Sequence, residues 1–151
     1  MDRRGIFGLL AATVVATPAT ALSTSAACEN KHRLVLHVDQ GDINKMNLAL
    51  GNTSNVAQHY KSLGEDVEIE IVAYSQGLHM LREDTSPVKE RIRMLREQVP
   101  TVVFSACDNT KRGMQKSEGR QITLVTEATI VPAGVVRLIE LQERGWSYIK
   151  P

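Results

Sequence analysis

The chain has 151 residues, of which 42% are hydrophobic, 23% charged and 4% aromatic, and its formal net charge is +1. That length suits one domain rather than two, and the composition is that of a folded protein, not a disordered or collagenous one. A near-neutral, aromatic-poor chain lacks both the basic footprint of a nucleic-acid or anionic-membrane binder and the rings of a base-stacking surface.

Arg3 and Arg4 make a short basic start, Ile6–Val15 an apolar run, and Ala16–Ala27 a small-residue stretch. This is the layout of a secretory signal peptide, and the apolar run is too short for a permanent transmembrane helix. Residues 1–27 are therefore read as a signal peptide, cut after Ala21 or Ala27, and residues 28–151 as the mature domain; a plain N-terminal tail is the alternative. The Arg3-Arg4 pair hints at twin-arginine export. Such a signal places the protein in the periplasm. Ala26-Ala27-Cys28 partly resembles a lipoprotein box, although Ser25 stands where such boxes want an aliphatic residue, so a lipid tether at Cys28 is the minority reading. No later segment approaches a membrane span.

From residue 31 onward the apolar period alternates between about 2 and about 3.6. Arg33–Asp39 reads as a strand, Gly41-Asp42 as a turn, and Met46, Leu50, Val56, Ala57, Tyr60 and Leu63 as the stripe of a long helix that Gly64 stops. Val67–Tyr74 opens in strict alternation and becomes a continuous apolar run, the mark of a second strand. Gly77–Arg82 reads as a short helix. Ser86 and Pro87 predict the cap and first position of another, with Val88, Ile92, Leu95 and Val99 buried and Glu90, Arg91, Arg93 and Glu97 wet. Thr101–Ala106 is a third strand, ending at Cys107, and Asn109–Lys116 a polar helix. Ile122–Val125 is ambiguous. Thr129–Val131 is a short strand, Pro132–Gly145 a helix with Val135, Leu138, Ile139 and Gln142 along one face, and Trp146–Ile149 a last strand. Strands and helices alternating at this spacing predict βαβ units and a largely parallel sheet covered on both faces.

In open α/β sheets, ligands gather beyond the carboxyl ends of the strands. Asp39–Asn44, Tyr74–Met80 and Cys107–Thr110 fall there. Cys107 leaves a strand and opens a helix, where unpaired N–H groups and the positive end of the helix dipole favour thiolate over thiol. Lys111 and Arg112 add positive potential and Asp108 opposes it. On the residues alone, a reactive thiol and a buried, inert cysteine are evenly matched. A Cys28–Cys107 disulfide or redox pair is a third reading. His32, His37, His59 and His79 share no metal-ligand spacing, and neither CxxC, HExxH nor a Gly-rich phosphate loop occurs, so no metal or cofactor is assigned. His37 reads as strand packing and His59 as helix surface, which leaves His79 as the histidine nearest the cleft.

The runs HVDQGDINKMNLALGN (37–52), VEIEIVAYSQGLHML (67–81), TVVFSACDNTKRGM (101–114) and VPAGVVRLIELQERGWSYIKP (131–151) resemble the DsrE/DsrF-like family of sulfur-relay proteins, in particular its exported branch. The likeness keeps the order and spacing of four motifs from about residue 32 to the end. It implies a three-layer α/β/α fold on a mostly parallel sheet of about five strands, assembled as a homo-oligomer. It also implies that Cys107 carries sulfane sulfur as a persulfide, taken from a sulfur donor and yielded to an acceptor protein or small thiol. Asn109 and Thr110 would then stabilise the anionic sulfur, and His79 and Tyr74 would line the pocket. One departure is Asp108, where relatives often have Gly, and an adjacent carboxylate is expected to raise the thiol pKa. The rival reading is a non-catalytic binding module or oligomeric subunit that holds a small anion or partner in the same cleft.

Overall fold

The structure is a computed structural model and describes residues 32–151. The segment read as a signal peptide (residues 1–27) and Cys28 lie outside the described residues. Strand β1 (His32–Val38) leads into helix α1 (Ile43–Leu63), and β2 (Val67–Ala73) into a 3-10 segment (Ser75–Leu81) and α2 (Lys89–Gln98). Next come β3 (Val103–Cys107), α3 (Asp108–Glu118), β4 (Ala128–Val131), α4 (Gly134–Glu143) and β5 (Ser147–Ile149). The strands form one sheet in the order β4-β3-β2-β1-β5, and every neighbouring pair is parallel. This is the α/β/α architecture expected from the alternating periods.

The strand order decides which helix covers which face. From β1 to β4 each strand is added on the same side of the last, so right-handed crossovers put α1, α2 and α3 on one face. The step from β4 back to β5 runs the other way and puts α4 on the opposite face. The core divides accordingly. Leu34, Leu36, Ile69, Ile71 and Phe104 pack with Met46, Leu50, Ile92 and Leu95 on the first face, while Val35 and Val72 meet only Leu138 and Leu141, with Tyr74 and Trp146 beside them, on the second.

Several boundaries and faces differ from the sequence expectation. Helix α2 begins at Lys89, because the Ser86 hydroxyl is drawn back to the Met80 carbonyl at 2.5 Å while it accepts from the Val88 N–H at 3.3 Å. Gly77–Arg82 is replaced by 3-10 turns over Ser75–Leu81. In α1, Leu63 is 57% exposed and Thr53 fully buried, its hydroxyl donating to the Ala49 carbonyl at 2.9 Å. In α4 the buried residues are Gly134, Leu138 and Leu141, whereas Val135 and Ile139, which share a face with Leu138 by spacing, are about half exposed. The ambiguous Ile122–Val125 forms an antiparallel bridge from Leu124 to Arg82 and buries Ile122 and Val125.

Arg82 is completely buried, and its guanidinium forks onto both Glu118 (2.5 and 2.9 Å) and Asp84 (2.9 and 2.7 Å). Arg120 reaches the same two carboxylates. The cluster ties the end of α3 to the exit of the 3-10 segment, and so fixes the helix that Cys107 caps.

Candidate functional site

Cys107 ends β3 and is the N-cap of α3, and it is 5% exposed. The Thr110 N–H donates to its Sγ at 3.5 Å, which is how an N-cap side chain satisfies a first-turn donor. The Thr110 hydroxyl oxygen accepts the Ser75 N–H at 3.1 Å, so its own hydrogen is free to turn to the sulfur. Ser75 holds φ +51°, the one positive value at a non-glycine among the described residues. Left-handed backbone at such a residue costs of order 1–3 kcal/mol and persists where the surroundings over-determine it. Here it aims the Ser75 N–H at Thr110.

A second helix arrives from the other side. The β4–α4 turn, Pro132-Ala133-Gly134, crosses the cysteine, and the Pro132 carbonyl accepts the Asn109 N–H at 3.3 Å. A Cβ on Gly134 would lie 3.0 Å from Tyr74 Cβ and Cδ1 and 3.3 Å from Cys107 Cβ, so any larger residue at the start of α4 would press on both side chains and push them back by a few tenths of an ångström. The N-termini of α3 and α4 therefore converge on one sulfur. Burial alone pushes the Cys107 thiol up, but the Thr110 hydroxyl and the N–H groups of Gly134, Thr110 and Asn109 together pull it below its ordinary value. The Asp108 carboxylate, expected to oppose this pull, is paired with Arg112 at 3.3 Å.

The α4 face of the sheet continues the site across the strands. Tyr74, just past β2, stacks on His37 of β1 (centroids 4.8 Å, 19°), and His37 Nδ1 meets the Tyr148 hydroxyl of β5 at 2.7 Å. His37 is 7% exposed and its Nε2 is buried without a hydrogen-bond partner, 3.9 Å from Asp39 Oδ2. Burial lowers the His37 pKa, Asp39 works against this, and Lys150, bonded to Asp39 at 2.7 Å, adds to it. The imidazole is thus neutral near pH 7. Burial, followed by the Asp39 charge, raises the Tyr74 phenol.

Of the residues singled out from sequence, Cys107, Thr110 and Tyr74 come together. Asn109 contributes its backbone, because its side-chain oxygen takes up Arg112 at 2.5 Å. His79 is not brought to the sulfur: its Nδ1 is engaged by the Thr85 hydroxyl at 2.8 Å. Gly134 and His37 were not expected there, and Ser75, inside the Tyr74–Met80 segment expected at this end of the sheet, was not singled out. The signal for Gly134 was the Pro-Ala-Gly run between a strand and a helix, which places a small residue at a helix start. Among the described residues, no three His, Cys, Asp or Glu side chains cluster as metal ligands do, and no helix is long and apolar enough to cross a membrane. A groove of about 790 Å³, lined by Ala57, Lys61, Asp66, Val99 and Pro100 among others, lies at the opposite end of the strands from the thiol.

A parallel, doubly covered sheet with a thiol at a strand's carboxyl end, where two helix N-termini meet, defines the class as an α/β protein with its candidate site at that end of the sheet. The model of the DsrE/DsrF-like family matches residues 18–151, and the chain belongs to that family, which is associated with sulfur relay. Among solved structures it is similar to a protein of unknown function from Methanobacterium thermoautotrophicum, at 34% identity and a TM-score of 0.67. That match covers 80% of this chain and 99% of the other. No curated protein matches.

Proposed function

We propose that this protein is a periplasmic sulfur carrier that holds sulfane sulfur as a persulfide on Cys107. The observation that carries the reading is the convergence of two helix N-termini and the Thr110 hydroxyl on one thiol sulfur. The Cys107 thiolate attacks the outer sulfur of a polysulfide or the sulfane sulfur of thiosulfate. The donor's S–S bond breaks, and its electron pair leaves with the shortened polysulfide or with sulfite. An acceptor thiolate then attacks the outer sulfur of the Cys107 persulfide and releases Cys107 as thiolate. No external oxidant or reductant is needed, because the transferred sulfur keeps its oxidation level. The N–H groups that favour the thiolate also favour the persulfide anion, and the extra sulfur extends about 2 Å beyond a thiol that is itself nearly buried. That extension suits delivery to a partner's thiol.

The carrier works as a homo-oligomer. Val135, Val136 and Ile139 of α4 and Ile130 of β4 are each about half exposed, and Val131, next to Ile130, pairs with Cys107. Apolar side chains exposed in this number beside the site support a protein-covered surface.

The rate of thiol alkylation against pH tests the reading, with Cys28→Ser leaving Cys107 as the sole cysteine. A titration midpoint clearly below the ~8.5 of free cysteine is expected. A thiol that is inert up to pH 9 would favour a binding module in which Cys107 is incidental.

A further inference from the structure

Among the described residues helix α4 is alone on its face of the sheet, and its apolar grip is small. Leu138 and Leu141 are its buried large side chains, while Val135, Val136 and Ile139 point outward. Apolar contacts resist separation but are indifferent to small slides along the helix axis. The N–H groups of a helix's first turn, by contrast, lose their effect on a nearby charge within about one turn. Something directional has to fix where α4 begins.

Beneath the helix lies Glu70, 1% exposed, in the second strand of the sheet. Both of its oxygens are taken by Arg137, from Nε at 2.8 Å and from Nη2 at 2.7 Å, and Oε1 also accepts the Ser105 hydroxyl at 2.6 Å. Ser105 is buried, sits two residues before Cys107 on β3 and shares its face. Arg137 is equally bound to the helix start: its N–H donates to the Ala133 carbonyl at 2.9 Å, closing the turn that contains Gly134. A two-pronged guanidinium–carboxylate pair fixes both distance and direction. One residue thus ties the first turn of α4 to the strand beside the one that ends at the thiol.

We propose that the Arg137–Glu70 pair is a positioning device: it sets the start of α4, and with it the Gly134 N–H, against Cys107, and so sets how reactive that thiol is. The proposal rests on the reading of Cys107 as a thiolate held by two helix N-termini. Neither Arg137 nor Glu70 touches the sulfur, and their effect passes through the backbone of the first turn.

The test is the alkylation rate of Cys107 against pH in the full chain carrying Cys28→Ser. Removing one partner alone would strand a buried charge, so the principal variant is Glu70→Leu with Arg137→Met, an apolar pair of similar volume that keeps such folds stable. Ser105→Ala serves as the control, because it removes a bond to Glu70 without freeing α4. The double variant is expected to melt like the parent, to move the titration midpoint upward, and to react about threefold to tenfold more slowly at pH 6. Ser105→Ala is expected to keep the parent profile. A folded double variant with the parent's profile would overturn the proposal, since the pair would then be merely structural. If the double variant fails to fold, Arg137→Lys decides. It keeps the charge but not the fork, and an intermediate shift supports the proposal where no shift overturns it. A parent midpoint at the free-cysteine value would show, before any variant is made, that the site reading itself had failed.

Discussion

Gly77→Ala is expected to destabilise the protein by more than about 3 kcal/mol, beyond the usual cost of an overpacked core. A Cβ built on Gly77 would lie 2.1 Å from the Val38 carbonyl oxygen, 2.5 Å from its carbon and 2.9 Å from the Asp39 nitrogen. All three are backbone atoms, so no side chain can swing aside. Either the end of β1 or the 3-10 segment must move. Movement of the latter would carry Ser75 away from Thr110 and loosen the hydroxyl that faces the thiol. Gly113→Ala is the matched control: nothing lies within 4 Å of its added Cβ, and it sits inside α3. That substitution should raise stability by about 0.5–1 kcal/mol through helix propensity. Urea unfolding of the three proteins measures both effects, and a Gly77→Ala variant as stable as the parent would refute the close packing.

Arg82→Ala is expected to cost about 3 kcal/mol or more, the scale on which a broken buried ion pair destabilises a fold, and to lower the melting temperature by about ten degrees. The side chain is completely buried, and its removal leaves a cavity as well as Asp84 and Glu118 without their shared cation. Arg120 still reaches both carboxylates and limits the loss. The same cluster makes the fold acid-sensitive. Its hydrogen bonds to Arg82 hold both Asp84 and Glu118 below the usual carboxylate range. A depressed folded-state pKa contributes stability that is complete above the unfolded pKa, near pH 4, and is lost as the pH falls through the folded value. Thermal melts from pH 7 to pH 2 should therefore show a steep acid limb in the parent and a shallower one in Arg82→Ala. Equal limbs would show that the cluster does not set the acid sensitivity.

Much of the fold was legible because the elements obey their periods. The alternation of strand and helix patterns gives the parallel sheet, and four motifs in order give the family. Cys107 was found by its place, at a strand exit before a helix. What stayed hidden belongs to tertiary geometry. Glu70 stands in an alternating stretch where a charge normally faces water, and its partners Arg137, 67 residues away, and Ser105, 35 residues away, make its burial tolerable. The buried face of α4 was not legible, because Val135 and Ile139 have the spacing of a core stripe with Leu138, but Gly134 against Cys107 and Arg137 on Glu70 turn them outward. His79 drew attention by lying in the right loop, and the loop turned its ring to Thr85. Spacing reports which residues share an element. It does not report which of them an element on the other side of the sheet will cover.

Sulfur loading of Cys107 is decided by intact-mass analysis of the Cys28→Ser protein after exposure to a polysulfide or thiosulfate donor, beside the same protein carrying Cys107→Ser. A carrier thiol gains one sulfur, about 32 Da, that reductant removes and an acceptor thiol discharges, with no gain when Cys107 is replaced and no loss of folding. A sulfur gain that survives Cys107→Ser, or a folded parent that takes up no sulfur while its thiol stays free, would contradict the carrier reading.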